Sequence, residues 1–451
     1  MDNSLLLVFL AGISILLILI LVFKVHAFIS LLIASISIGL LAGMPFSLII
    51  ENIGTGMGNT LSFVAVVVGL GAIFGAILEH SGATSKLSDF MLSKFGLKRS
   101  AWALGFSGFL IAIPVFFDVA FIILVPVVYA LQKKTGKSLL YFAIPLLAGL
   151  AVTHAFIPPT PGPIAVADII GADLGWVIIF GFITAIPTTV IAGIFFGKFI
   201  SNKIYVAVPK EMQVQTEHQA KAYNLQLFPV FLIILLPLLL IILNTVLNSI
   251  YNNTEAKPLW VDALTFIGHP FSALSISTLL AMYLLGLRYG VSRQELQSLS
   301  TKALGPAGII ILITGAGGVF KQMLIETGAG IMLAEKIASY TLAPTLIAFI
   351  IALLIRLLQG SATVAMITAA GMMAPLISTL ELNSQELALI VLSIAAGSSG
   401  FSHVNDSGFW LVNRYLGLTE AQTLKSWTMM TGLLAIAAIL IISLMSLLIN
   451  I

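Results

Sequence analysis

Between Arg99 and Lys133 the chain runs for 33 residues with a single charge, Asp118. An intramembrane carboxylate is costly and reads as functional by default, here as a group that takes up and releases a proton. The second half has its own isolated charge: Arg356 stands alone among the 44 residues between Lys336 and Glu381. A guanidinium suits an anion, because it grips a carboxylate with two parallel hydrogen bonds. The plainer alternatives are a fixed Asp118–Arg356 pair and an Arg356 that snorkels to the surface. Each charge lies at a break in apolar sequence, Ile113-Pro114-Val115-Phe116-Phe117-Asp118 and Gln359-Gly360-Ser361-Ala362-Thr363. Two further breaks follow at Thr153–Pro163, with four prolines and a glycine in Pro158–Pro163, and at Gly397–Gly408. Irregular backbone at membrane depth is tolerated only where protein or a water-filled cavity covers it, and discontinuous helices mark substrate sites in carriers.

Those breaks supply the expected substrate-binding set: His154, Pro159, Thr160, Gly162, Arg356, Gly360, Ser361, Thr363, Ser402, His403, Asn405 and Ser407. Many neutral donors and acceptors with few charges suit a polyhydroxylated acid, whose lost water they replace. Small polar residues also serve kinks and helix–helix contacts, but clustering at the breaks favours a site. Asp118 is the expected proton carrier, with His403 and Asp406 next in line, and Asp168 is placed near the outer surface. Gly315-Ala316-Gly317-Gly318 lacks the lysine and strand of a phosphate loop. It reads as close helix packing, as do Gly54…Gly58 and Gly71…Gly75.

The elements that must position these groups are membrane helices. The 451 residues are 59% hydrophobic and only 9% charged, against about 25% charged in a soluble domain. The net charge of +3 gives no reason to invoke nucleic acid. The chain has no cysteine, which removes disulfides and thiol chemistry, and no His-Glu-x-x-His spacing, so no cofactor or metal is expected. A helix over 100–132 would measure about 50 Å, against a hydrocarbon core of about 30 Å. With a proline at its centre and basic residues at both ends, the interval reads as a re-entrant hairpin from the cytoplasm.

The fold expected is an all-α polytopic membrane protein with about ten transmembrane segments, two re-entrant helical hairpins and two broken helices. Spans are expected near 5–23, 27–43, 61–79, 176–197, 225–247, 263–287, 304–320 and 427–449. The first repeat, 1–197, holds the hairpin 100–132 and the broken helix 139–170. The second, 225–451, holds the hairpin 339–380 and the broken helix 386–413. A cytoplasmic linker, 198–224, joins them. The repeats are opposite in orientation: Asp118-Val119-Ala120 and Thr363-Val364-Ala365 stand 245 apart, as do Ala155-Phe156 and Gly400-Phe401. With both termini outside, 17 of the 21 Lys and Arg residues fall on the inside, which fixes the frame.

At these motifs the chain resembles the gluconate permease family of bacterial proton symporters almost end to end. The resemblance rests on Pro114–Phe121, His154–Pro163, Gly360–Ala365 and Phe401–Trp410 in order. It implies proton-coupled uptake of gluconate or a related sugar acid across the bacterial inner membrane, a lipid-embedded homodimer, and elevator-like motion. It departs at Thr160, where several relatives carry histidine, so the particular acid is left open. The alternatives are a sodium-coupled carrier, a D-serine carrier, a channel, which would want a continuous polar pore, or a membrane enzyme, which would want a nucleophile–base pair or metal ligands.

Overall fold

The computed structural model describes residues 3–209, 225–251, 258–328, 343–403 and 406–449. Among them there is no strand. The first half comprises α1 (Asn3–Leu21), α2 (Ala27–Leu41), α3 (Phe46–His80), α4 (Ala83–Phe95), α5 (Ser100–Ile111), α6 (Phe117–Thr135), α7 (Leu140–Phe156), α8 (Pro161–Ile170) and α9 (Leu174–Lys203). The second comprises α10 (Leu227–Ile250), α11 (Leu259–Gly268), α12 (Pro270–Tyr289), α13 (Arg293–Glu326), α14 (Pro344–Gln359), α15 (Ala362–Ile377), α16 (Ser384–Ser399), α17 (Ser407–Leu416) and α18 (Glu420–Ile449). Residues 210–224 of the expected linker and 339–342 of the second hairpin lie outside the described residues.

The two halves repeat in fine detail. The helices α9 and α18 begin and end 246 residues apart. Left-handed glycines recur at the same junctions: Gly43 and Gly290, Gly82 and Gly328, Gly171 and Gly417. A glycine at the end of a helix takes positive φ without a Cβ penalty, so these positions punctuate both halves alike. The N-caps of α2 and α12 are both histidines, His26 and His269, each accepting from the backbone N–H two residues on. Packing follows the same symmetry: α2 lies on α13 while α12 lies on α3, and α5 packs on α7 as α14 packs on α16.

At the centre the two long helices α3 and α13 cross. A Cβ on Gly56 would stand 2.8 Å from the Gly318 carbonyl, and one on Gly318 would stand 2.7 Å from the Gly56 carbonyl. Gly315 and Gly317 are likewise filled against Met57 and Ile367. Gly54 and Gly58, expected to pack closely, face open space, because the crossing falls on the residue between them. Gly71 and Gly75 do admit backbone, from Pro159 and Pro114.

The described helices are interrupted at all four expected breaks. The first hairpin turns at 112–116 around buried Pro114, and the second at Gly360 and Ser361 alone. Gly360 takes φ +89° there, a tight turn that glycine allows. Several boundaries differ from the sequence reading. Helices α3 and α13 extend well beyond 61–79 and 304–320, because a helix continues through polar residues such as Asn52 and Asn59. The expected span 263–287 is divided at His269-Pro270, where proline starts a new helix. Helix α9 runs on to Lys203, into the interval read as linker. The chain then pairs back through Leu139 N–H to the Val206 carbonyl at 2.8 Å. Seven of the described helical stretches are long and apolar enough to cross a membrane; others, such as α2, are apolar but shorter.

Candidate functional site

The four breaks meet at one cavity of about 660 Å³, within the size range of small-molecule sites. Four helices start on its wall. Helix α6 contributes Phe116–Asp118, α8 contributes Gly162, α15 contributes Ser361–Thr363, and α17 contributes Asp406–Gly408. Local sequence accounts for each start. Pro161 occupies the first helical position of α8, where its missing N–H costs nothing. Ser361 caps α15 by accepting from Val364 N–H, and Asp406 caps α17 by accepting from Gly408 N–H at 3.0 Å. No side chain caps α6 or α8; the first amides of α6 remain available, and in α8, where Pro161 and Pro163 have no N–H, that of Gly162 does. Each N-terminus carries roughly half a positive charge, and several together make an anion site from backbone alone.

Three formal charges face that field. Arg356, 4% exposed, pairs with Asp406 and donates to the Gly360 carbonyl. Its partner is therefore Asp406 and not Asp118. Asp406 also accepts from Ser402 Oγ, which in turn accepts from Trp427 Nε1 at 2.7 Å. Ser402 N–H donates to Thr431 Oγ1 at 3.0 Å. This chain of bonds ties the second hairpin, the break before α17 and helix α18 into one unit. Asp118 has no hydrogen bond or ion pair among the described residues, and its carboxylate faces the cavity from the first turn of α6.

Of the expected site residues, the cavity gathers Asp118, His154, Gly162, Arg356, Gly360, Ser361, Thr363, Asp406 and Ser407. Thr160 and Pro159 are not on its wall; the Thr160 hydroxyl donates to the Ile157 carbonyl at 2.7 Å and holds the break together. Ser402 is buried behind the wall in the bond chain just described. His403 also stands apart, its Nε2 2.9 Å from the Leu357 carbonyl. Asn405 lies outside the described residues. Asp168 lines a separate cavity of about 260 Å³ beside α9, α10 and α12.

Sequence reasoning missed Phe116, Phe117, Gln359, Trp427 and Thr431, all on the cavity wall. Phe116 packs on His154, with ring centroids 6.0 Å apart, and Phe117 on Trp427 at 5.5 Å. The signal for Gln359 was its place beside Gly360; Trp427 and Thr431 carry none, since they come from a helix without a break.

The sequence profile described as "GntP family permease" matches residues 4–448. The chain is 40% identical over 427 residues to the low-affinity gluconate transporter of Escherichia coli K12, covering 93% of this chain and 94% of that protein. It is 38% identical over 426 residues to the gluconate permease of Pseudomonas aeruginosa, covering 94% of each. Among solved structures, the YdaH transporter of Alcanivorax borkumensis matches with a TM-score of 0.60 over 88% of this chain and 87% of that one. At 14% identity that likeness speaks for the fold alone.

Proposed function

The chain belongs to the GntP family of permeases, multi-pass membrane proteins, and from that premise we propose that it takes up gluconate or a related sugar acid together with protons. The observation that carries this reading is the balance of charge in the cavity. Four helix N-termini favour an anion. Arg356 is already matched by Asp406, which leaves Asp118 as the one unmatched carboxylate among the described residues of the cavity. Ionised, it repels an incoming carboxylate; protonated, it leaves the N-termini to hold the anion. Proton and anion therefore favour each other's binding, which is the thermodynamic content of symport.

In this reading the cavity residues Asp118, His154, Gly162, Arg356, Gly360, Ser361, Thr363 and Ser407 meet the substrate. Ser402 and Asp406 fix Arg356, and Thr160 shapes the break. The protein sits in a bacterial inner membrane with both termini outside, as a homodimer in lipid. Its repeats, 1–197 and 225–451, are joined through the cytoplasmic interval 198–224. The unmatched Asp118 also suits an ammonium group, so a zwitterion such as D-serine is the rival substrate.

Uptake of labelled gluconate into vesicles holding the purified protein tests the reading. An imposed inward proton gradient is expected to drive accumulation above equilibrium, and an inward sodium gradient is not. Accumulation driven by sodium alone replaces the coupling ion. Competition by D-serine and not by sugar acids replaces the substrate.

A further inference from the structure

One turn of α14 presents two buried polar atoms that have no partner among the described residues, Arg356 Nε and Gln359 Oε1. Both side chains line the cavity. Three residues apart on a helix, they project on the same face. Elsewhere on the Arg356 guanidinium, Nη1 donates to the Gly360 carbonyl and Nη2 to Asp406. An unmatched buried donor or acceptor carries a substantial penalty, so such a pair is poised for a guest. The guest must accept from Nε–H and donate to a side-chain carbonyl. A carboxylate oxygen meets only the first need, since it has no proton and would set lone pairs against those of Gln359. An ammonium meets only the second. A hydroxyl meets both, accepting through its oxygen and donating through its proton. His154 Nδ1, buried on α7 and also without a partner, offers a further polar contact in the same cavity.

We propose that Gln359, acting with Arg356 Nε, is the specificity-determining residue that makes this site select a hydroxy acid over a plain carboxylic acid or a dicarboxylate. The inference rests on the sugar-acid reading above and adds to it. The substrate carboxylate goes to the helix N-termini, and one particular alcohol group goes to the α14 turn. The role is specific to the amide: methionine in its place keeps the bulk and leaves only a weak sulfur acceptor.

The test uses the full chain in vesicles, with gluconate and its single-deoxy analogues as competitors in counterflow. In the wild type, one deoxy analogue is expected to bind about tenfold more weakly than gluconate, the effect of one unmatched hydrogen bond. In Gln359→Met, gluconate is expected to weaken by a similar factor and to become equal to that analogue, while the other analogues keep their order. Equal binding of every deoxy analogue by the wild type overturns the inference without recourse to any variant. So does a Gln359→Met protein that retains the wild-type preference. A wild type that binds the analogues and gluconate not at all overturns the sugar-acid reading itself, and this inference with it.

Discussion

Asp118 and Asp406 differ in how their carboxylates are engaged, and the difference sets what each can do. Asp406 accepts from Arg356, Ser402 and the Gly408 amide, whereas Asp118 accepts from nothing described. A group that must gain and lose a proton each cycle cannot also hold three donors in place. Asp118→Asn, which imitates the protonated acid, is therefore expected to keep counterflow of labelled substrate and to lose accumulation driven by a pH gradient. Both activities persisting in the same vesicles would move the coupling role to another group. For the Arg356–Asp406 pair the expected effect is on folding. Removing one partner of a buried pair costs about 3–5 kcal/mol, because the other charge is left unmatched. Arg356→Met and Asp406→Asn should each lower the thermal midpoint of the purified protein markedly, and the double variant should lose less than the two losses added. Strict additivity would show that the two side chains act independently. The charges themselves were legible in the sequence, since a lone Asp or Arg in an apolar interval is conspicuous. Their pairing was not: Arg356 meets a residue 50 positions away, and no local pattern distinguishes that contact from one with Asp118.

Helix breaks were the most legible elements, because proline, glycine and N-capping residues act through local backbone chemistry. Helix lengths were less so. Hydropathy reports which residues suit lipid, whereas a helix continues wherever its backbone bonds continue, and so α3 and α13 outrun their apolar centres. Glycine roles lay between these cases. Gly75 and Gly54 are on the same helix, and nothing in the sequence ranks one above the other. In the fold, a Cβ on Gly75 would stand 2.0 Å from the Pro114 carbonyl oxygen, which is backbone at the tip of the first hairpin. The tip is thus seated on α3 through a gap that only glycine leaves. Gly54 is exposed with nothing within 4 Å of its would-be Cβ. Gly75→Ala is expected to lower both the thermal midpoint and the transport rate, by displacing the tip that bears Asp118. Gly54→Ala is expected to leave transport intact and stability unchanged or slightly raised, since alanine favours a helix by about 1 kcal/mol over glycine. Equal behaviour of the two variants would show that the tip does not rest on α3.

Across the whole molecule, the repeat converts a local question about two hairpins into one about the membrane. Both tips reach the same cavity, one through Phe116–Asp118 and the other through Gly360–Thr363. Helix α6 leads away from it for 19 residues, about 28 Å, to exposed Lys133 and Lys134. Helix α15 leads away for 16 residues, about 24 Å, to the turn carrying Glu381. The base of the first hairpin carries exposed Lys94, Lys98, Arg99, Lys133, Lys134 and Lys137, while the described side of the second base carries Glu381 and Glu386. Basic residues stay on the cytoplasmic side, so the inverted repeat we propose would set the two bases on opposite faces, each hairpin guarding the cavity from its own side. The chain has no cysteine, so single cysteines report cleanly. In whole cells treated with a membrane-impermeant maleimide, Glu381→Cys is expected to react at once. Lys134→Cys is expected to react only after the membrane is opened. Reaction of both from the same face would mean that the hairpins enter together, that the repeat is not inverted across the membrane, and that one side of the cavity lacks a gate.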